Sequence, residues 1–225
     1  MSESYSWVNV DKKEYMVPSD FDSGTRRTES CSRSNELLRA LYSLLSDRWK
    51  GCHIFWMGDE RSLPEKIDSE LFSVIKVHCD EIGYGDDMFD TVCDTYRNVS
   101  AMFKTSQVEN IKEEIGYYIE ELEEGSTDSV NEYGINPLAP YDGLFLRDGC
   151  DFRFVINATK RVAYSLESTK IMHKDGDELD FVDPLPLLLG YGRYYDPGEW
   201  IGDIIEVADE LPDSVTLLEC IFLDW

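Results

Sequence analysis

Two pairs of neighbouring residues, Cys52-His53 and His78-Cys79, carry the side chains of a zinc centre or of a thiol nucleophile with its base. Their spacing argues against both. Successive strand side chains point to opposite faces and successive helical ones diverge by about 100°, so neither pair easily sets two ligands on one ion. Asp59-Glu60, at the end of an apolar run, offers carboxylates for a divalent ion, because ligands gather at strand ends; a polar strand terminus is the plainer explanation. Asp175-Gly176-Asp177-Glu178-Leu179-Asp180 looks at first like a calcium loop, but Leu179 occupies the third ligand site and Asp180 stands where the loop needs glycine. A hairpin turn with solvated carboxylates is the expectation there. Gly190-Tyr191-Gly192-Arg193 lacks the third glycine of a dinucleotide loop and reads as a plain turn. No G-x-x-x-x-G-K-S/T, G-x-S-x-G or H-E-x-x-H pattern occurs. The expectation is no catalytic residue, no metal and no cofactor.

Charge is the strongest signal. The 225 residues include 21 basic and 46 acidic side chains, a net of -25. Residues 1–50 hold 8 acidic and 8 basic, net zero; residues 51–143 hold 21 and 6, net -15; residues 144–225 hold 17 and 7, net -10. From Asp175 onward a single base, Arg193, faces 14 acids. Binding to DNA, RNA or an anionic membrane works through Lys and Arg, so direct contact with any of these is excluded as an expectation. A basic partner is favoured instead.

The elements that must position these groups follow from periodicity. Tyr5–Val17 reads as a hairpin, and Leu37, Leu38, Leu41, Leu44 and Leu45 mark one buried face of a helix capped by Ser34 or Asn35. Cys52–Met57 reads as a strand buried on both faces. Helices are expected near 65–82, 87–103 and 107–124. In the last, Ile111, Ile115, Tyr118 and Leu122 fall within an arc of about 60°, with Glu109, Glu113, Glu120 and Glu124 on the far side. Glu120, Glu121, Glu123 and Glu124 crowd its C-terminal end, where the helix dipole disfavours anions by a few tenths of a kcal/mol each, so local helix stability does not explain them. Beyond a Gly/Pro-containing stretch at 125–143 the period becomes two, with hairpins over 152–166 and 171–182 and a core strand or short helix over 215–223. This pattern predicts an α+β fold with a helix-rich N-terminal half carrying one or two short strands and an antiparallel β-rich C-terminal half. The lobes would span 1–135 and 136–225, or merge into one continuous domain.

Six cysteines without a C-x-x-C pair suit a reducing compartment. The start of the chain lacks the basic and apolar stretches of a secretory signal, and no apolar run approaches the roughly 20 residues of a membrane span, so a cytoplasmic location is expected. The functional expectation is a non-catalytic acidic protein, a nucleic-acid-mimic-like inhibitor, immunity or counter-defence factor. Its carboxylates imitate phosphates and engage a basic, nucleic-acid-binding protein. The expected partner-binding residues are Glu109, Glu113, Glu120, Glu121, Glu124, Asp175, Asp177, Glu178 and Asp180, with Tyr194 and Trp200 as anchors. The alternatives are a metal-dependent enzyme using fold-assembled carboxylates and a soluble adaptor whose acidity serves solubility alone.

Overall fold

The N-terminal hairpin forms as its pattern predicts. β1 (Tyr5–Asn9) and β2 (Glu14–Met16) pair antiparallel, with Trp7 opposite Met16. A computed structural model describes residues 3–33, 35–103 and 152–224. On the other side of β1 lies β3 (Ile54–Gly58), antiparallel and wholly buried, with Trp7 opposite Trp56. Alternation along these strands sends Tyr5, Trp7, Ile54 and Trp56 into one core and Val8, Val10, Phe55 and Met57 into another.

Each face is covered by helices the sequence marks. α1 (Glu36–Ser46) starts where the Asn35 side chain accepts from the Leu38 N–H, and its leucines pack with Trp7 and Trp56. α2 (Glu70–Ile82) is capped by Ser69 and α3 (Met88–Thr95) by Asp87; Leu71, Ile75, Met88 and Val92 cover Phe55 and Met57. α3 ends earlier than its apolar spacing suggests. Tyr96 turns extended, and Arg97–Asn98 becomes β4, paired parallel to β2.

The helix-rich and antiparallel halves expected from periodicity are not what the chain builds. It is a mixed α/β fold with strands throughout, in three sheets, and four short α-helices among the described residues. The first sheet runs β4-β2-β1-β3-β8, and its last member, β8 (Gly190–Tyr191), comes from the far end of the chain to lie parallel to β3. Gly190-Tyr191 is therefore a strand and not the plain turn its glycines suggest. The second sheet, β10-β6-β5-β9, contains the expected hairpin of β5 (Phe154–Asn157) and β6 (Val162–Tyr164), antiparallel to each other. β9 (Ile205–Ala208) flanks β5, and β10 (Thr216–Leu217) lies parallel to β6. β7 (Lys170–His173) pairs along its length with β11 (Cys220–Leu223), again parallel. The return strand expected near 179–182 is reduced to a bridge between Met172 and Glu178. A short helix, α4 (Leu185–Leu188), precedes β8.

Parallel pairing joins segments remote in sequence, so hairpin logic misses it. α1 sits at the centre, its leucines sharing one core with Val155, Tyr164 and Ile205 of the second sheet and Ile171 and Leu223 of the third. The expected helix at 107–124, with Glu109, Glu113, Glu120, Glu121 and Glu124, and the expected boundary at 135/136 lie outside the described residues.

Candidate functional site

Two surfaces concentrate charge. The first lies on the outer side of the α2–α3 pair, where Asp80, Glu81, Asp86, Asp87, Asp90 and Asp94 are all exposed. No basic residue occurs between Asp80 and Asp94. Asp80 pairs with Lys76 at 2.7 Å and Glu81 with Lys13 at 3.3 Å. Asp87 spends one oxygen on the Asp90 N–H as the helix cap, and Asp94 accepts from the Tyr84 hydroxyl at 2.6 Å. Among the described residues, Asp86, Asp87, Asp90 and Asp94 have no cationic partner. Their field is felt locally. The exposed Cys93 thiol is pushed up to about 11, first by the protein packed around it and then by Asp94, Asp90, Asp87 and Asp59.

The acidic turn at 175–180 is exposed as expected. The His173 N–H donates to the Asp177 carbonyl, and Gly176 takes a left-handed φ of 103°. Asp175, Asp177, Glu178 and Asp180 stand in solvent, with His173 3.4 Å from Asp175. Tyr194 is also exposed, its hydroxyl donating to Glu60 at 2.8 Å. Trp200 departs from the expected arrangement. It is 4 % exposed, packed on Tyr164 in the main core at a ring-centroid distance of 5.9 Å, and is not a surface anchor.

The second surface is a cavity of about 410 Å³ beyond the end of β8, walled by Arg27, Arg61, Lys174, Arg193, Tyr194 and Tyr195. Asp196, Glu199 and Asp224 also reach it. The segment is held from below by Glu3, a buried carboxylate that accepts from the Arg193 backbone N–H at 2.8 Å and from the Tyr5 hydroxyl at 2.9 Å. Arg193 is the lone base of its region in sequence and by itself marks no site, because Arg27, Arg61 and Lys174 come from three other segments.

The remaining candidates resolve into local structure. His53 holds Asp11 at 3.0 Å while the Cys52 thiol donates to the Lys50 carbonyl. His78 meets the Tyr96 hydroxyl at 2.6 Å, its basicity lowered by burial and by Lys13. Cys79 accepts from the Thr91 hydroxyl and donates to the Asp87 carbonyl. Asp59 accepts from the Ser4 N–H at 2.9 Å, whereas Glu60 turns to Tyr194 and Arg193, so the adjacent carboxylates serve different neighbours. Among the described residues no three His, Cys, Asp or Glu side chains gather as a metal site, and no helix is long and apolar enough to cross a membrane.

Two further carboxylates are wholly buried. Glu14 is desolvated, which alone would raise its pKa. Hydrogen bonds from Arg48 and Trp49, together with the charges of Arg97 and Arg48, overcome this and hold it below the usual carboxylate range. Asp183 is raised by burial despite donation from the Tyr42 hydroxyl, the Leu185 N–H and the Tyr164 hydroxyl. No family model, curated protein or solved structure matches the chain.

Proposed function

We propose that the protein is a non-catalytic acidic binding protein that engages and inhibits a basic nucleic-acid-handling protein. The observation that carries this reading is the α2–α3 face, where Asp86, Asp87, Asp90 and Asp94 stand exposed without cationic partners among the described residues. Caps and a shared apolar core fix the two helices, so the carboxylates form a spaced array and not a mobile tail. Such an array presents a basic groove with charges it would otherwise receive from phosphates. Complementary fields of this kind chiefly accelerate association and weaken with salt. The turn at Asp175–Asp180 adds a second acidic patch.

The test is purification of the protein from its source cells at low salt, followed by assay of the captured partner on nucleic acid. A basic partner released by high salt, displaced by DNA or RNA and inhibited when bound supports the reading. Combined D86N, D90N and D94N substitutions should slow association and flatten its salt dependence. A partner whose nucleic-acid activity is unchanged when saturated, or capture indifferent to salt and to these substitutions, overturns it.

A further inference from the structure

The acidic face leaves the cavity beyond β8 unexplained. Its volume of about 410 Å³ suits a small molecule. In a chain of net charge -25 its lining nevertheless includes Arg27, Arg61, Arg193 and Lys174. Lys174 is paired with Asp224 at 3.3 Å, and Arg193 makes a long 3.5 Å contact with Glu60. Arg27 and Arg61 differ. Among the described residues their side chains neither donate a hydrogen bond nor pair with a carboxylate, although carboxylates outnumber bases twofold over the whole chain.

Their guanidinium groups lie instead over aromatic rings, Arg27 at 4.0 Å from the Tyr195 centroid and Arg61 at 5.0 Å from that of Tyr191. A guanidinium held over a ring spends none of its N–H donors on a carboxylate there. Two such forks match the oxygens of a phosphate. Tyr194 and Tyr195, 57 % and 48 % exposed, stand at the same cavity with ring surface that no core covers. Asp196 and Glu199 supply acceptors for hydroxyl groups. An anion, a planar ring and hydroxyls together describe one chemical class.

We propose that the cavity binds a nucleoside monophosphate. The phosphate lies against Arg27, Arg61 and Arg193, the base on Tyr194 and Tyr195, and the ribose hydroxyls donate to Asp196 and Glu199. This site is separate from the acidic α2–α3 face, so neither reading depends on the other.

Calorimetric titration of the full chain with AMP, adenosine and inorganic phosphate tests it. AMP should saturate with a Kd of about 1 mM or tighter. Adenosine should bind at least about tenfold more weakly, and inorganic phosphate should compete with AMP. R27A and R61A should each weaken AMP about tenfold or more, and R27K and R61K, which keep the charge but lose the fork, should also weaken it. Y195A should weaken AMP more than it weakens inorganic phosphate, because it removes the ring under the base as well as the support of Arg27. Thermal unfolding of every variant confirms that it folds, and the Lys variants carry the test if an Ala variant does not. No saturable AMP binding, equal affinity for adenosine and AMP, or AMP binding unchanged in both R27K and R61K would overturn the proposal.

Discussion

Arginines serve opposite purposes in two regions of this molecule. Around Glu14, Arg48 and Arg97 converge with Trp49 on one wholly buried carboxylate; Arg97 arrives because β4 lies in parallel register with β2, placing it beside Glu14. At the cavity beyond β8, Arg27 and Arg61 rest on tyrosine rings without an acid among the described residues. A surplus of surface carboxylate therefore does not decide where cations go. A buried charge must be matched, because leaving it alone costs several kcal/mol, whereas solvated charges at the rim are indifferent to pairing. The first cluster is structure, and the second is available for a ligand.

The largest effect should come from removing the acid of the first cluster. Glu14→Gln leaves Arg48 and Arg97, with side chains 16 % and 9 % exposed, facing a neutral amide. A loss of about 3–5 kcal/mol is expected, a fall in Tm of roughly 10 °C for a chain of this size. The pH dependence has a definite sign. Glu14 is held below its unfolded value, so its contribution is complete above the unfolded carboxylate pKa and disappears as pH falls through the folded one. Urea unfolding across the acid range should show this decline in the native chain and a flatter profile in Glu14→Gln. Equal stability of the two proteins at neutral pH would erase the distinction between the regions.

Asp183 sharpens the contrast, since it is as buried as Glu14 but is met chiefly by neutral donors. Asp183→Ala strands the Tyr42 and Tyr164 hydroxyls and the Leu185 N–H, a loss of about 3 kcal/mol. Asp183→Asn keeps an acceptor and should cost about 1 kcal/mol. Here the sign reverses. A raised folded pKa contributes stability that is full below the unfolded value and is lost as pH rises through the folded one. Asp183→Asn should therefore flatten the decline that begins above the unfolded carboxylate pKa, as Glu14→Gln flattens the one below it.

What the sequence discloses follows the range of the interactions. Asn35, Ser69 and Asp87 cap helices whose apolar spacing is local, and the β1–β2 and β5–β6 hairpins need only a short turn. The pairings of β8 with β3 and of β11 with β7 bring together remote segments, and Gly190-Tyr191 carries no mark of the strand it must join. Trp200 read as a surface anchor because acids surround it in sequence, yet burial of its ring against Tyr164 outweighs that company. The cavity was illegible for the same reason as the parallel strands: its arginines are single residues in unremarkable contexts until the fold assembles them.

A smaller effect separates the α2–α3 face from both arginine regions. Asp86→Asn removes a like charge that has no cationic partner among the described residues, so it should stabilise the chain by up to about 0.5 kcal/mol at low ionic strength, whereas Asp90→Asn also gives up a favourable place in the first turn of α3 and should gain less. Added salt screens the same repulsion, and the gain should shrink by about 0.15 M NaCl, where the screening length is roughly 8 Å. Urea unfolding at two salt concentrations reads this. A loss of stability in Asp86→Asn would mean that this carboxylate has a structural partner and is not free for a basic protein.

A comparably small change should come from the cavity arginines. Arg27→Gln and Arg61→Gln each give up a cation–π contact, worth about 0.5–1 kcal/mol at partly exposed sites, and no ion pair. Arg97→Gln, by contrast, removes a donor from buried Glu14 and should cost several times more. Parallel unfolding curves of the three variants make the comparison direct. If Arg27→Gln matched Arg97→Gln, Arg27 would be holding the fold together as Arg97 does, and the guanidinium over Tyr195 would have no freedom left for a phosphate. Near-native stability in Arg27→Gln and Arg61→Gln, beside a marked loss in Arg97→Gln, keeps the two uses of arginine distinct.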